Sequence, residues 1–207
     1  MATLSDIRTQ LSYDLRDISN DTWSTTELNY LVNQGLDALA DFYPREIVSE
    51  FATITSGTFS YSASAFTRIY RIDIHNSSGS YRMTLESGIG DGRDSGWETH
   101  AGYVYLPPNW PLDAGDRLVG FGYGRYTQLV NDGDSADADT AGVNAVLVFC
   151  QVEAFQHLLN DRSAFQQWQA SPGNTDTTLL ALNQTAYSLR RRWREEQTRL
   201  RRMRKLA

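Results

Sequence analysis

A chain of 207 residues with 41% hydrophobic and 21% charged side chains has the makeup of a folded protein, not a disordered one. Its length suits one large domain, or one domain with an insertion, burying about 70% of the unfolded surface. The formal charge is −6, and the single cysteine, Cys150, excludes an intrachain disulfide and any cysteine-based zinc site.

No apolar run approaches the ~20 residues of a membrane span. The opening Met1-Ala-Thr-Leu-Ser-Asp6 lacks the basic-then-apolar layout of a signal peptide. An intracellular folding compartment is expected, in which the sequons at Asn20, Asn76 and Asn183 are idle. Lys205 is the only lysine against eighteen arginines. Codon bias accounts for this more simply than a demand for bidentate contacts.

The first elements are helical. Leu4, Ile7, Leu11, Leu15 and Ile18 recur at steps of three and four and predict a helix over about 4–18. Ser24-Thr-Thr-Glu27 is a capping box, with Trp23 before the cap and Leu28 forming a hydrophobic staple. Leu28, Leu31, Val32, Leu36, Leu39 and Phe42 continue the second helix, which Pro44 ends.

From Ile47 to about Leu129 the period falls to two. Phe59-Tyr61-Ala63-Ala65, Tyr70-Ile72-Ile74, Tyr81-Met83-Leu85 and Tyr103-Tyr105 supply the apolar phase of an antiparallel β-domain with one solvated face. Near residue 120, Val119, Phe121 and Tyr123 face one way while Gly120, Gly122 and Gly124 leave the other face bare. Glycine weakens a strand unless another backbone approaches closely, so close sheet or subunit packing is expected there.

The last third returns to helix. Asp139-Thr140 caps an apolar helix through Val143, Val146, Leu147, Cys150, Ala154, Leu158 and Leu159, whose circumference suits the centre of the core. Cys150 is expected to be a small core residue. Ser171-Pro-Gly-Asn174 breaks the chain, and a final helix of roughly 45 Å follows over 176–206. Its seam is Leu179, Leu182, Ala186, Leu189, Trp193, Leu200 and Met203, with Glu196 in the skipped position. A core of this size is too short to cover that length, so the basic end is expected to project. The organisation predicted is α+β: an antiparallel helical bundle (1–44 and 131–207) with an inserted antiparallel β-domain (45–130) and a long projecting C-terminal helix.

Several motifs fail on their own geometry. The glycine-rich segment 86–102 lacks the Lys-Ser/Thr and the strand-to-helix transition of a phosphate cradle, and reads as a surface loop. Asp132, Asp134, Asp137 and Asp139 miss a calcium frame, because a loop begun at Asp137 has Ala141 fifth and Val148 twelfth. A solvated linker whose acids favour the next helix N-terminus is expected instead. Histidines 75, 100 and 157 lie in different segments, and no nucleophile elbow or paired-carboxylate motif is present. No catalytic residue, metal or cofactor is assigned, and a non-enzyme is expected.

The charge is unevenly placed. The last eighteen residues carry nine of nineteen basic side chains and two of twenty-five acidic ones, a net +7 against −13 for the remainder. That exceeds what a helix C-terminal dipole uses. Phosphate binding by the arginines is one reading, opposed by the acidic body, and it would make the chain a nucleic-acid-binding accessory protein. Docking in a protein groove is favoured over it, with Trp193, Leu200 and Met203 as anchors beside the arginines. Truncation after Tyr187 is then expected to leave a folded subunit.

The order helix, capped helix ending in Tyr43-Pro44, β-insertion, apolar helix and basic C-terminal helix resembles head–tail adaptor (connector or neck) proteins of tailed bacteriophages. Trp23-Ser-Thr-Thr-Glu-Leu28, followed by Leu31, Asn33, Leu36 and Ala40, is similar to the W-x-x-x-E-L opening common in those proteins. Ala101-Gly-Tyr-Val-Tyr105 is similar to a glycine–aromatic strand of the podovirus-type members. The resemblance covers the layout of nearly the whole chain, and about a fifth of it residue by residue. It implies a virion structural protein that forms a ring, usually of twelve subunits, beneath the portal and extends the DNA channel toward a tail or neck protein. Trp23, Ser24, Glu27, Leu28 and Pro44 carry over as fold-determining positions. Portal docking falls to Leu189, Arg190, Arg191, Arg192, Trp193, Arg194, Arg199, Leu200, Arg201, Arg202, Met203, Arg204 and Lys205. Gly120, Gly122 and Gly124 fall to subunit packing. DNA would pass without sequence-specific binding, and no membrane partner is implied.

Overall fold

The computed structural model describes residues 1–85, 87, 96–108, 110 and 112–206, with Lys205 and Leu206 as backbone only. Residues 86 and 88–95 of the glycine-rich segment 86–102 therefore lie outside the described residues. The fold is mixed α+β. Five helices are described: α1 (Leu4–Asp14), α2 (Thr25–Ala40), α3 (Thr140–Asn160), α4 (Arg162–Ala170) and α5 (Leu179–Leu206). Seven strands, β1 (Arg45–Thr53), β2 (Ser60–Ser62), β3 (Arg68–His75), β4 (Tyr81–Leu85), β5 (Glu98–His100), β6 (Tyr103–Tyr105) and β7 (Arg117–Gly124), form two antiparallel sheets. The chain divides into two compact units, Met1–Pro44 with Tyr126–Ala207, and Arg45–Arg125.

In the helical unit, α1 and α2 both begin with capping boxes. Thr3 and Asp6 exchange side-chain and backbone hydrogen bonds, as do Ser24 and Glu27. Each satisfies two of the amides a helix start leaves without partners. Trp23 and Leu28 are buried beside the second box, as a staple requires. The first helix is shorter than its apolar spacing suggests. Arg16 takes a left-handed φ of 54°, and the buried Asp17 carboxylate collects the amides of Asp21, Thr22 and Trp23. Ile18 is thereby thrown outward and is 65% exposed, not part of the core face. The second helix ends at Ala40, ahead of Pro44, with Tyr43 held by Leu39.

Helices α1, α2, α4 and α5 all pack on α3. By length and hydropathy α3 matches a membrane span, which amends the sequence estimate, but 61% of that apolar window is buried inside the chain. Cys150 on α3 is fully buried; its thiol donates to Leu31 O at 3.3 Å, and burial pushes its pKa up. Asp161 interrupts the helix after Asn160 and caps α4 through Ser163 N and Ala164 N.

The C-terminal helix corrects an expectation. Leu182, Ala186 and Leu200 are fully buried in the unit's own core, and Leu189 and Trp193 pack against it. Trp193 meets Phe42 and Phe149 edge-on, with ring centroids 5.3 and 5.4 Å away. The helix therefore does not project free through this stretch, because α3 and the end of α2 cover the seam as far as Leu200.

The β-unit has a four-stranded sheet in the order β1-β7-β3-β4 and a three-stranded sheet in the order β2-β6-β5. Ile72, Ile74, Val104 and Leu118 are its most buried residues. In the small sheet the inward residues are Tyr61 and Val104, while Tyr103 and Tyr105 are 46% and 42% exposed. That reverses the alternation expected for β6, since a one-residue shift of phase exchanges the faces of a strand. A bulge between Ile69 and Arg71 likewise leaves Tyr70 half-exposed while Ile72 and Ile74 stay inside.

The bare face of β7 is filled by its own unit. A Cβ on Gly120 would lie 2.9 Å from Phe66, one on Gly122 2.7 Å from Phe66 and against the Arg68 carbonyl, and one on Gly124 2.6 Å from the Ala65 carbonyl. Close packing is present, but within the chain, so these glycines offer no surface to a neighbouring subunit.

Two measurements check this account. Leu200→Ala should cost about 2–5 kcal/mol in a urea melt, and truncation after Tyr187 should abolish cooperative unfolding of the helical unit, reversing the sequence expectation. Gly122→Ala should cost about 1–3 kcal/mol, because backbone and an aromatic ring occupy the site of the new methyl.

Candidate functional site

The outward face of α5 is the most distinctive chemical surface of the helical unit. The seam is occupied, so the basic side chains stand on a helix anchored along its inner side. Arg190, Arg191, Arg192, Arg194, Arg199, Arg201 and Arg202 are all exposed. Two are tied down locally, Arg191 to Glu195 at 2.9 Å and Arg199 to Glu196 at 2.7 Å. Arg201 lies over the Phe42 ring, 5.9 Å from its centroid. Arg204 is half-buried and engaged. Arg190, Arg192, Arg194 and Arg202 have no ion-pair partner among the described residues. Arg190 and Arg194, one turn apart, lie on one side of the helix.

Of the expected apolar anchors, only Met203 remains available, at 43% exposure. Trp193 and Leu200 are already spent on the core. The side chain of Lys205 lies outside the described residues. What α5 presents is a set of exposed planar guanidinium donors on an anchored helix, suited to carboxylates or phosphates in bidentate geometry. Local i,i+3 and i,i+4 pairs contribute little stability, and the unpaired arginines contribute none.

The acidic stretch after Leu129 is solvated at Asn131, Asp132 and Ser135 and caps the next helix as expected, but it is also folded by its own hydrogen bonds. Asp132 pairs with Arg8 at 2.7 Å, and Asp134 accepts the amides of Val130 and Asn131. Asp137 holds Thr127, and Asp139 caps α3 through Gly142 N while receiving the Tyr43 hydroxyl. Asn33 completes it by exchanging two hydrogen bonds with the backbone of Leu129. The loop also forms a bridge from Ser135 to Thr3, ahead of α1. Each aspartate thus has a structural duty, and among the described residues no cluster of His, Cys, Asp or Glu is arranged for a metal ion.

The three histidines sit on separate elements. His75 Nδ1 lies 3.0 Å from Gly79 O, His100 ends β5, and His157 is on the exposed side of α3. Sequence reasoning missed the outward facing of Tyr103 and Tyr105 on β6, because their aromatic character places them inside. It also missed Asp17, whose role depends on a left-handed turn that no apolar period reports. The chain matches no protein-family model, and no curated protein matches it in sequence.

Acid should loosen the aspartate loop. Arg8 holds the Asp132 carboxyl below its usual range, and the Asn131 and Val130 amides do the same for Asp134. A depressed carboxylate stabilises the fold above its unfolded pKa, and that contribution is lost as pH falls through the folded value. Urea midpoints should hold steady above about pH 5 and drop below about pH 4, with a smaller drop in Asp134→Asn.

Proposed function

We propose that the chain is a structural virion protein, a head-to-tail adaptor that assembles as a ring, docks on the portal and extends the DNA channel toward the tail. Its finer architecture in this reading is an antiparallel helical bundle with a β-domain inserted between α2 and α3. The observation that carries the proposal is the exposure of Arg190, Arg192, Arg194 and Arg202, without ion-pair partners among the described residues, on an anchored helix in a chain of net charge −6. Partner docking here uses the arginines and Met203, since Trp193 and Leu200 are committed to the core.

Two features support the reading. The capped helix opening at Trp23-Ser-Thr-Thr-Glu-Leu28 is similar to that of known adaptors. The −13 balance outside the last eighteen residues would let DNA slide past without sticking. Twelve copies of a modest contact give a strong total through effective concentration, so a lone subunit binds weakly. The work is architectural, with no reaction and no cofactor, and its place is the neck of the particle.

The same arginines favour a second reading, a nucleic-acid-binding accessory protein. One experiment separates the two. Arg190→Gln, Arg194→Gln and Arg202→Gln are combined, and thermal melting is compared first. Melting should be unchanged, while binding to portal rings from the same particle falls at least tenfold and tail attachment is lost. Normal attachment of the triple variant would sink the portal role. Tight, steeply salt-dependent binding of DNA by the wild-type chain, lost in the variant, would establish the second reading instead.

A further inference from the structure

Helix α1 closes on an arginine where its backbone suits glycine. Asp17 N–H donates to Ser12 O and Arg16 N–H to Tyr13 O, both at 3.0 Å, the two bonds of a Schellman motif. The left-handed position of that motif, here Arg16 at φ 54°, is ordinarily glycine or asparagine, because a Cβ is disfavoured there. The wholly buried Asn174 holds the same residue from the far loop, donating Nδ2 to Arg16 O at 3.0 Å. The turn needs no cation, and the nearby carboxylates are engaged elsewhere. Asp14 is taken by the Gln10 and Gln151 amides, and Asp17 by the backbone amides of Asp21, Thr22 and Trp23. The Arg16 side chain has neither ion pair nor hydrogen bond among the described residues.

Arg16 lines a cleft of about 510 Å³ in the helical unit, formed by residues 13–19 and 171–173. We infer that this cleft is a ligand site for a small molecule with an apolar body and a single carboxylate. Tyr13, Ile18 and Pro172 supply apolar walls. Tyr13 and Ile18 are large, exposed and outside the core, and Ile18 owes its outward position to the same left-handed turn. The hydroxyls of Ser19 and Ser171 add donors to a lining in which Arg16 carries the one charge.

Charge and size choose the occupant. A guanidinium without a partner calls for an anion, and it donates to a carboxylate through two parallel N–H groups. One guanidinium balances one negative charge, whereas a phosphate monoester carries nearly two and would leave the excess against apolar walls. The volume lies within the roughly 300–1,000 Å³ of small-molecule sites, which are mostly apolar with a few placed polar groups. An arginine kept in a strained conformation beside such a cleft fits the general clustering of backbone strain at ligand sites.

The test uses the full chain and calorimetric titration with octanoate, naphthoate and indoleacetate. Their primary amides, phenyl phosphate and a short peptide with a C-terminal leucine serve as comparisons. Wild type should bind at least one of the three acids, and its amide at least tenfold more weakly. Arg16→Gly should weaken that binding at least tenfold while melting at or above the wild-type temperature, since glycine suits the turn. Ile18→Asp should weaken it as much, and Arg16→Lys, which keeps the charge, should lose less. Failure of all three acids to bind overturns the proposal, as does equal binding of the amide or undiminished binding by Arg16→Gly. Binding confined to phenyl phosphate or to the peptide overturns it as well. The triple α5 variant should bind the acid as wild type does, so the outcome is independent of portal docking.

Discussion

Every helix of the helical unit depends on one surface, that of α3. It touches α1, α2, α4 and α5, with Ala145, Val146 and Cys150 fully enclosed and an exposed stripe at Asn144, Glu153 and His157 on the remaining side. Close approach is needed at two points. Gly35 on α2 faces Val146, where a Cβ would come within 2.8 Å, and Gly142 on α3 faces Leu39, where one would come within 3.0 Å. The helices are packed at a density that leaves no space for a methyl group, which is why a volume change at these positions is felt. The aromatic cluster of Phe42, Phe149 and Trp193 then fixes α5 against the same scaffold. The positions from which the outward arginines extend are fixed by this packing.

The β-unit is organised by a different economy of space. Its central strand, β7, alternates glycine inward with larger residues outward, and Phe66, Phe51 and Ile47 fill the inward gaps. On the outward side Arg71 lies over Phe121, 4.6 Å from the ring centroid, and pairs with Asp73. Burial alone would push the Asp73 carboxyl upward, but hydrogen bonds from Arg71 and Thr84 outweigh it and hold the pKa low. A buried charge is kept on a sheet face because three side chains share it.

What was legible in the sequence was local. The capping box at Ser24 and Glu27, the apolar run of α3 and the seam of α5 need only a few residues to be recognised. The misreadings are all long-range. The glycines of β7 announce a close approach, but Phe66, which fills it, is more than fifty residues earlier. The seam of α5 announces a groove, yet nothing near Trp193 in sequence says that Phe42 and Phe149 form it. On β6 aromatic character pointed inward, while pairing with β2 and β5 placed Val104 there instead. Ile18 was lost to a single left-handed residue, Arg16, which shifts the phase of everything after it. The arginines of α5 were legible as charge, but which guanidiniums remain unpartnered is a property of the folded helix.

The division of the helical unit into two chain segments sets a schedule for synthesis. Helices α1 and α2 leave the ribosome first, but α3 follows only after about eighty residues of the β-unit. At 5–20 residues per second that interval is on the order of ten seconds. Throughout it, Leu4, Leu11, Leu28 and Leu36 lack the α3 surface they later bury against. The two capping boxes hold each helix start by itself, but they cover no apolar area. The nascent chain thus carries its first two apolar segments uncovered while the β-unit is made, and this is the interval in which a chaperone would find it.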